Sequence, residues 1–152
     1  MLPTFDLVSA QRAAEAGVLE DWIHAYLASG DWANPGLSAG LRIAPRWWRG
    51  PLRVPLTSLE RFCGPEATME YRMEPAAWEQ RVAAIAGSLT TRERVPPLIV
   101  EYRAGTLSVR DGNHRLAAME RVGWSEGWII VWYNSAADDV ADQGREGSGY
   151  RM

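Results

Sequence analysis

Lysine is absent from this sequence, since all sixteen of its basic residues are arginines. Nineteen acidic residues outnumber them, so the formal net charge is −3 at pH 7. A global positive field that would recruit nucleic acid is therefore excluded, and only a local arginine patch is left for that role. Arginine presents a planar fork that suits phosphates and carboxylates. Ala and Gly are also plentiful, however, which favours a simpler explanation for the use of Arg in place of Lys: the base composition of the genome.

Cysteine is almost absent too: the single Cys63 excludes an internal disulfide and a cysteine-based zinc cluster. We expect a lone cysteine to be a small, buried or half-buried apolar side chain and not a nucleophile. The sequence also lacks any run near the ~18 apolar residues of a membrane span. Its N-terminus has neither the basic start nor the apolar core of a signal peptide. These absences predict a cytoplasmic protein that does not associate with membranes.

The length of 152 residues and the hydrophobic content of 47% are typical of a globular chain of about one domain. Its patterns divide into three parts: an N-terminal helix and Trp-rich connector over 1–51, a main domain over 52–133, and a flexible, polar tail over 134–152. Eight tryptophans predict a Trp-rich core or pocket wall.

Hydrophobic spacing predicts an α/β fold with a small mixed sheet and packed helices. A helix is expected over 9–29, where five apolar residues share one face: Leu19, Trp22, Ile23, Tyr26 and Leu27. The other predicted elements are a strand at 52–60, a helix at 76–89, strands at 96–102 and 106–110, a helix at 113–122 and a strand at 127–133. The last strand is continuous in apolar residues, which is typical of burial on both faces.

The stretch SVRDGNHRLAAM, residues 108–119, places a glycine turn between a strand and a helix. The first N–H groups of a helix lack partners and carry about half a positive charge, so they can bind phosphate. Gly112 permits an unusual φ and a close approach of the ligand. Arg115 could add a bidentate fork, and His114 a further hydrogen bond. Together these neighbours predict an anion pocket.

Asp111 does not suit a pure anion site, because a carboxylate repels a phosphate. One alternative makes Asp111 the N-cap of the helix, accepting from the N–H of Asn113 or His114. The other makes it a ligand of Mg²⁺ or of a substrate hydroxyl beside the phosphate. The residues alone leave both alternatives open.

Residues 52–133 resemble the ParB/sulfiredoxin-like superfamily. The resemblance is carried by VPLTSLE, IAGSL, PPLIVEY, TLSVRDGNHRLAAMERVGW and WIIVWY, in that order. It implies a ParB/sulfiredoxin-like fold, here with an N-terminal helical extension. It also implies that nucleotide phosphates are held by the loop residues Gly112, Asn113, His114 and Arg115.

The branches of this superfamily differ in chemistry. The chromosome-partitioning branch binds CTP and clamps DNA, and normally carries a helix-turn-helix domain, a pattern not seen after Tyr133. Sulfiredoxins keep a cysteine just before the His-Arg pair, where this chain has Asn113, which argues against reduction of a sulfinic acid. Free-serine kinases carry a DGxHR loop that this sequence matches closely at Asp111, Gly112, His114 and Arg115.

The kinase resemblance implies ATP- or ADP-dependent transfer of phosphate to a small hydroxyl compound, with Mg²⁺ at Asp111. It makes Glu66 the base on the acceptor hydroxyl, with Glu60 and Glu70 as rivals. Asp111 would orient the metal or the hydroxyl, and His114 would offset the developing charge.

The alternative from a different class is a non-catalytic, CTP- or ATP-responsive module that associates with DNA. Its phosphate contacts would come from a local arginine surface formed by Arg42, Arg46, Arg49 and Arg53.

Overall fold

A five-stranded mixed sheet lies at the centre of the computed structural model, which describes residues 4–30 and 33–145. The strands are β1 (Trp47–Pro55), β2 (Leu59–Arg61), β3 (Cys63–Gly64), β4 (Tyr71–Arg72), β5 (Leu98–Arg103), β6 (Thr106–Asp111) and β7 (Glu126–Tyr133). The helices are α1 (Leu7–Glu15), α2 (Leu19–Leu27), α3 (Pro35–Leu41), α4 (Pro75–Ser88), α5 (Asn113–Arg121) and α6 (Ala136–Arg145).

The main sheet has the order β1-β7-β5-β6-β2. Strand β5 is parallel to β7 and β2 is parallel to β6, whereas β1 with β7 and β5 with β6 are antiparallel. The short strands β3 and β4 form a separate parallel pair. The predicted α/β fold with a mixed sheet is confirmed.

Both faces of the sheet are covered by helices. On one face, α2 and α3 pack with Ile99, Ile130 and Trp132. On the other face, Leu116 and Met119 of α5 join the apolar side chains of the sheet. Helix α4 packs in turn on α5, and thus forms a further layer. Because alternate residues of β7 enter both clusters, the prediction that this strand is buried on both faces is confirmed.

The N-terminal half differs from its predicted helix. The helix expected over 9–29 is two helices, since Gly17 takes a φ of +76° between α1 and α2. Asp6 caps α1, with its side chain accepting from the backbone N–H of Ser9. A glycine in this conformation ends a helix, but spacing of apolar residues alone does not reveal the break.

The predicted connector and first strand are also rearranged. The Trp-rich segment contains α3 and the start of β1, where the Trp48 and Trp132 rings pack with centroids 6.1 Å apart. The strand expected over 52–60 is the end of β1, a 3₁₀ turn at Leu56–Ser58, and β2. Pairing with β7 extends β1 backward to Trp47. Because β7 is distant in sequence, local patterns do not predict this extension.

The flexible tail predicted over 134–152 is corrected in part. Residues 136–145 form α6, and Asp142 of this helix is buried and accepts from the Tyr133 hydroxyl at 2.5 Å. The remaining tail residues, 146–152, lie outside the described part of the chain. None of the described helices has the length and apolarity needed to cross a membrane.

Candidate anion-binding site

A cavity of about 540 Å³ opens at the N-terminus of α5. The loop residues from Arg110 to Arg115 line it, so the predicted Gly112, Asn113, His114 and Arg115 are brought together with Asp111. Side chains from elsewhere complete the wall, among them Asn34, which caps α3, Phe62, and Arg81 of α4. The cavity is therefore built from parts of the chain that are far apart in sequence.

Gly112 is the N-cap of α5, with a φ of +102°, and no side chain caps the helix. The first N–H groups of α5 are thus left without a capping side chain at the cavity. A Cβ at Gly112 would lie 2.5 Å from Leu98 Cδ2, so both the conformation and the space require glycine.

Asp111 is the last residue of β6 and does not cap α5. Its Oδ2 accepts instead from the hydroxyl of Tyr26 at 2.9 Å and from Nη2 of Arg115 at 3.0 Å. The capping alternative is wrong, because the carboxylate accepts from these two side chains and no side chain caps the first N–H groups of α5. Burial is the main cause that raises the pKa of Tyr26 far above its usual value, so Tyr26 remains a neutral phenol.

The Arg115 side chain is 2% exposed and points into the protein. Its guanidinium donates to the carbonyl of Pro96 at 2.5 Å, to the hydroxyl of Tyr26 at 2.7 Å and to Asp111. The structure therefore uses this arginine as a buried cation behind the loop, whereas the sequence predicted a bidentate fork that binds the anion. Its charge still lies close to the cavity, which it helps to line.

His114 lies against the indole of Trp78, with ring centroids 4.4 Å apart. Burial, and secondarily the charge of Arg81, lowers the pKa of His114 to about 4, so the ring is neutral at pH 7. Its Nε2 atom is buried and has no hydrogen-bond partner in the described structure. His114 as a residue lines the cavity, so a buried polar atom without a partner lies in the wall of the site.

Two arginines that sequence reasoning missed add positive charge here. Arg81 is exposed, lines the cavity, and forms no hydrogen bond or ion pair with any described residue. Arg110 lies over the ring of Phe62 at 3.8 Å and donates to Glu101 at 2.7 Å. Nothing in the local sequence marks Arg81, because it reaches the loop only through the packing of α4 on α5.

The side chain of Asn113 serves the fold. Its Oδ1 accepts from the backbone N–H of Phe62 at 2.9 Å and of Cys63 at 3.3 Å, and its Nδ2 donates to the carbonyl of Val109. Asn113 is 6% exposed. It ties the segment after β2 to the start of α5, so the amide is already committed, while its backbone N–H belongs to the uncapped helix turn.

The predicted glutamates are not brought into this cavity. Glu66 pairs with Arg61 at 2.5 Å on the surface, and its side chain is 43% exposed. The hydrogen bond from Arg61 lowers the pKa of Glu66, whereas a base needs a raised one. The rivals Glu60 and Glu70 line a separate cleft of about 440 Å³.

A resident metal does not fit the donors present. Across residues 4–30 and 33–145, no group of three or more His, Cys, Asp or Glu side chains could hold a metal ion. Asp111, proposed for Mg²⁺, already accepts two hydrogen bonds at Oδ2. A single engaged carboxylate does not build a magnesium site by itself.

Three of the four arginines in the predicted surface have partners within the protein. Arg49 pairs with Asp139 at 2.6 Å, and Arg53 lies 3.6 Å from Glu126. Arg46 donates to the carbonyl groups of Leu41 and Gly40. Arg42 is exposed.

Several solved structures are similar to this chain, and two of them belong to proteins with known names. One is sulfiredoxin from Arabidopsis thaliana, 19% identical, with a TM-score of 0.38 over 62% of this chain and 96% of that one. The other is a C-terminally truncated chromosome-partitioning protein ParB from Caulobacter crescentus, complexed with CTP-gamma-S. It is 20% identical with a TM-score of 0.36, over 70% of this chain and 54% of that one, so this chain spans about half of the ParB structure.

No protein-family model matches the chain, and no curated protein matches it. Both solved structures carry names from the superfamily that the sequence resembles. Their likeness to this chain is low.

Proposed function

We propose that this protein binds a nucleotide through its phosphates at the N-terminus of α5. The observation that carries the proposal is that one cavity is lined by an uncapped helix N-terminus, by Arg81, which no described residue pairs, and by His114, whose buried Nε2 has no described partner. Backbone N–H groups, a guanidinium and a neutral imidazole are all suited to phosphate oxygens. The sequence resemblance at residues 111–115 supports the same ligand class.

The remainder of the cavity suits the nucleoside part of the ligand. Phe62, Met73 and Ile85 line it beside the polar loop, and Leu37 contributes from α3. A planar base gains from contact with aromatic and apolar side chains. These residues would therefore hold the base and sugar, and the loop would hold the phosphates.

Binding is supported better than phosphoryl transfer. A kinase needs a base close to the acceptor hydroxyl, yet Glu66, Glu60 and Glu70 lie outside the cavity lining. Asp111 is the one carboxylate among the described lining residues, and two hydrogen bonds engage its Oδ2. The more specific hypothesis is transfer of a phosphate from ATP or ADP to a small hydroxyl compound, with Mg²⁺ bound to the nucleotide.

A thermal-shift panel of ATP, ADP, CTP and GTP, each with and without Mg²⁺, tests the proposal. A nucleotide at about 100 times its Kd stabilises the folded state by roughly 2.7 kcal/mol. We expect at least one nucleotide to raise Tm, and Arg81→Gln to weaken its binding without lowering the stability of the ligand-free protein.

The matched control is Arg94→Gln, which removes the same charge at an exposed position outside the cavity lining. It should leave nucleotide affinity unchanged. A wild-type protein that no nucleotide stabilises would end the proposal. Steeply salt-dependent binding of duplex DNA, without any nucleotide effect, would favour the DNA-associated alternative.

A further inference from the structure

Tyr26, Asp111 and Arg115 form one closed hydrogen-bonded group behind the anion-binding loop. The Tyr26 hydroxyl donates to Asp111 Oδ2 at 2.9 Å and accepts from Arg115 Nη2 at 2.7 Å. Nη2 also donates to the same carboxylate oxygen at 3.0 Å. Tyr26 is fully buried and Arg115 is 2% exposed. Because water does not readily replace a lost partner at this depth, each bond fixes its neighbours.

This group also contacts the N-cap residue of α5. A Cβ placed on Gly112 would be 2.9 Å from Arg115 Nη2, so the guanidinium packs directly against the Gly112 backbone. Gly112 has a φ of +102°, and its conformation sets the direction of the first N–H groups of α5. A displacement of the guanidinium would therefore displace the groups that face the cavity.

Tyr26 is itself held firmly by the N-terminal helices. Its ring stacks on Trp22 of the same helix, with centroids 5.2 Å apart and planes at 12°. Phe5 packs against it at 5.9 Å. Helix α2 belongs to the cluster that covers one face of the sheet. The hydroxyl thus reaches the loop from a rigid platform that lies outside residues 52–133, the part of the chain that carries the superfamily resemblance.

We infer that Tyr26 is a positioning residue for the anion-binding loop. Through Tyr26, the N-terminal helices help to hold the loop in the conformation that binds the anion. A tyrosine hydroxyl suits this place because it donates and accepts at once, whereas the carboxylate only accepts and the guanidinium only donates. Phenylalanine at this position would fill the same space but leave Asp111 and Arg115 with one partner fewer each. The inference rests on the proposed function for its affinity readout.

The test compares Tyr26→Phe with a matched control, Tyr133→Phe. Tyr133 also donates its hydroxyl to a buried carboxylate, that of Asp142, but it does not line the cavity. Both variants therefore lose a buried Tyr–Asp hydrogen bond and differ in where they lose it. Inorganic pyrophosphate is the probe, and its Kd is measured by calorimetry. We expect Tyr26→Phe to weaken binding about tenfold, and Tyr133→Phe to change it by less than about twofold.

Hydrogen exchange of residues 110–116 in the ligand-free protein gives a second readout that needs no ligand. It should be faster in Tyr26→Phe and unchanged in Tyr133→Phe. Equal losses of affinity in both variants, or faster exchange with unchanged affinity, would overturn the positioning role. If the wild type does not bind pyrophosphate or any nucleotide, the proposed function fails. Exchange alone then decides whether Tyr26 holds the loop, and equal rates in all three proteins would refute it.

Discussion

The imidazole of His114 packs on the indole of Trp78, with ring centroids 4.4 Å apart and planes inclined at 35°. The contact joins the first turn of α5 to α4 and removes much of the histidine from water. Arg81, which faces the same cavity from α4, adds a positive charge nearby. Both effects disfavour the imidazolium, and the ring is held neutral at the point where the helix N-terminus meets the cavity.

Stability should fall in mild acid because of this histidine. The pKa of His114 is about 4 in the folded protein and about 6.5 in the unfolded chain. Between these values the unfolded state binds more protons, so unfolding becomes easier as pH falls through this window. Urea unfolding at pH 7 and pH 5 should show the loss, and His114→Gln should reduce it. Burial also lowers the pKa of His24, so part of the loss should persist.

Anion binding should take up a proton on His114. A dianion beside Nε2 favours the imidazolium and therefore raises the pKa of the ring. Sulfate is the suitable probe, since it keeps both charges throughout this pH range. Calorimetry at pH 5.5, in buffers that differ in ionisation enthalpy, should report proton uptake on binding, and affinity should tighten from pH 7 to pH 5.

His114→Gln is the decisive variant for this proton uptake. It leaves His24 as the remaining histidine of the chain. His24 is hydrogen-bonded to Ser38 at 2.6 Å and does not line the cavity. Sulfate binding without any buffer dependence in the wild type, or an undiminished proton uptake in the variant, would contradict the assignment to His114.

Asn113→Ala should be strongly destabilising, because its amide holds three backbone groups from two segments. The N–H groups of Phe62 and Cys63 and the carbonyl of Val109 would lose their partner. An unsatisfied buried group costs about 1–3 kcal/mol, so we expect a loss of roughly 2–4 kcal/mol in urea unfolding. Asn34→Ala removes a single cap bond to Leu37 and should cost only about 1 kcal/mol. Similar losses for the two variants would argue against the amide's role.

Strands β5, β6 and β7 and helix α5 could be predicted from the sequence because their signals are local. The apolar runs of β5 and β7, the Ala-Gly turn before β6 and the glycine before α5 each lie within a few residues. Apolar periodicity also placed Tyr26 on the apolar face of a helix, and glycine chemistry identified the loop as the strand-to-helix turn. Such features depend on spacing and backbone conformation, which the sequence states directly.

What the sequence did not reveal depends on contacts between distant segments. Arg115 resembles a surface residue until Tyr26, 89 positions earlier, supplies the acceptor that allows its burial. Arg81 reaches the cavity only because α4 packs on α5, and Glu66 is withdrawn by its pairing with Arg61. Such contacts between side chains form only in the folded protein, and no periodic pattern in the sequence indicates them.

Gly112→Ala should disrupt the site more than any other single methyl group added to α5. The residue has a φ of +102°, which costs an L-residue roughly 1–2 kcal/mol. The new Cβ would also lie 2.5 Å from Leu98 Cδ2 and 2.9 Å from Arg115 Nη2, and such overpacking typically costs about 1–3 kcal/mol. We therefore expect a loss of roughly 2–5 kcal/mol in unfolding free energy, together with weaker binding of pyrophosphate.

The opposite end of the same helix provides the control that separates these two costs. Gly123 has a φ of +88°, and a Cβ there would meet nothing within 4 Å. Gly123→Ala should therefore lose only the conformational part, about 1–2 kcal/mol, and should leave pyrophosphate affinity unchanged. The difference between the two variants measures how tightly Leu98 and Arg115 hold the loop. If both substitutions cost the same, the guanidinium does not fix the backbone of Gly112, and the loop owes its position to glycine's conformation alone.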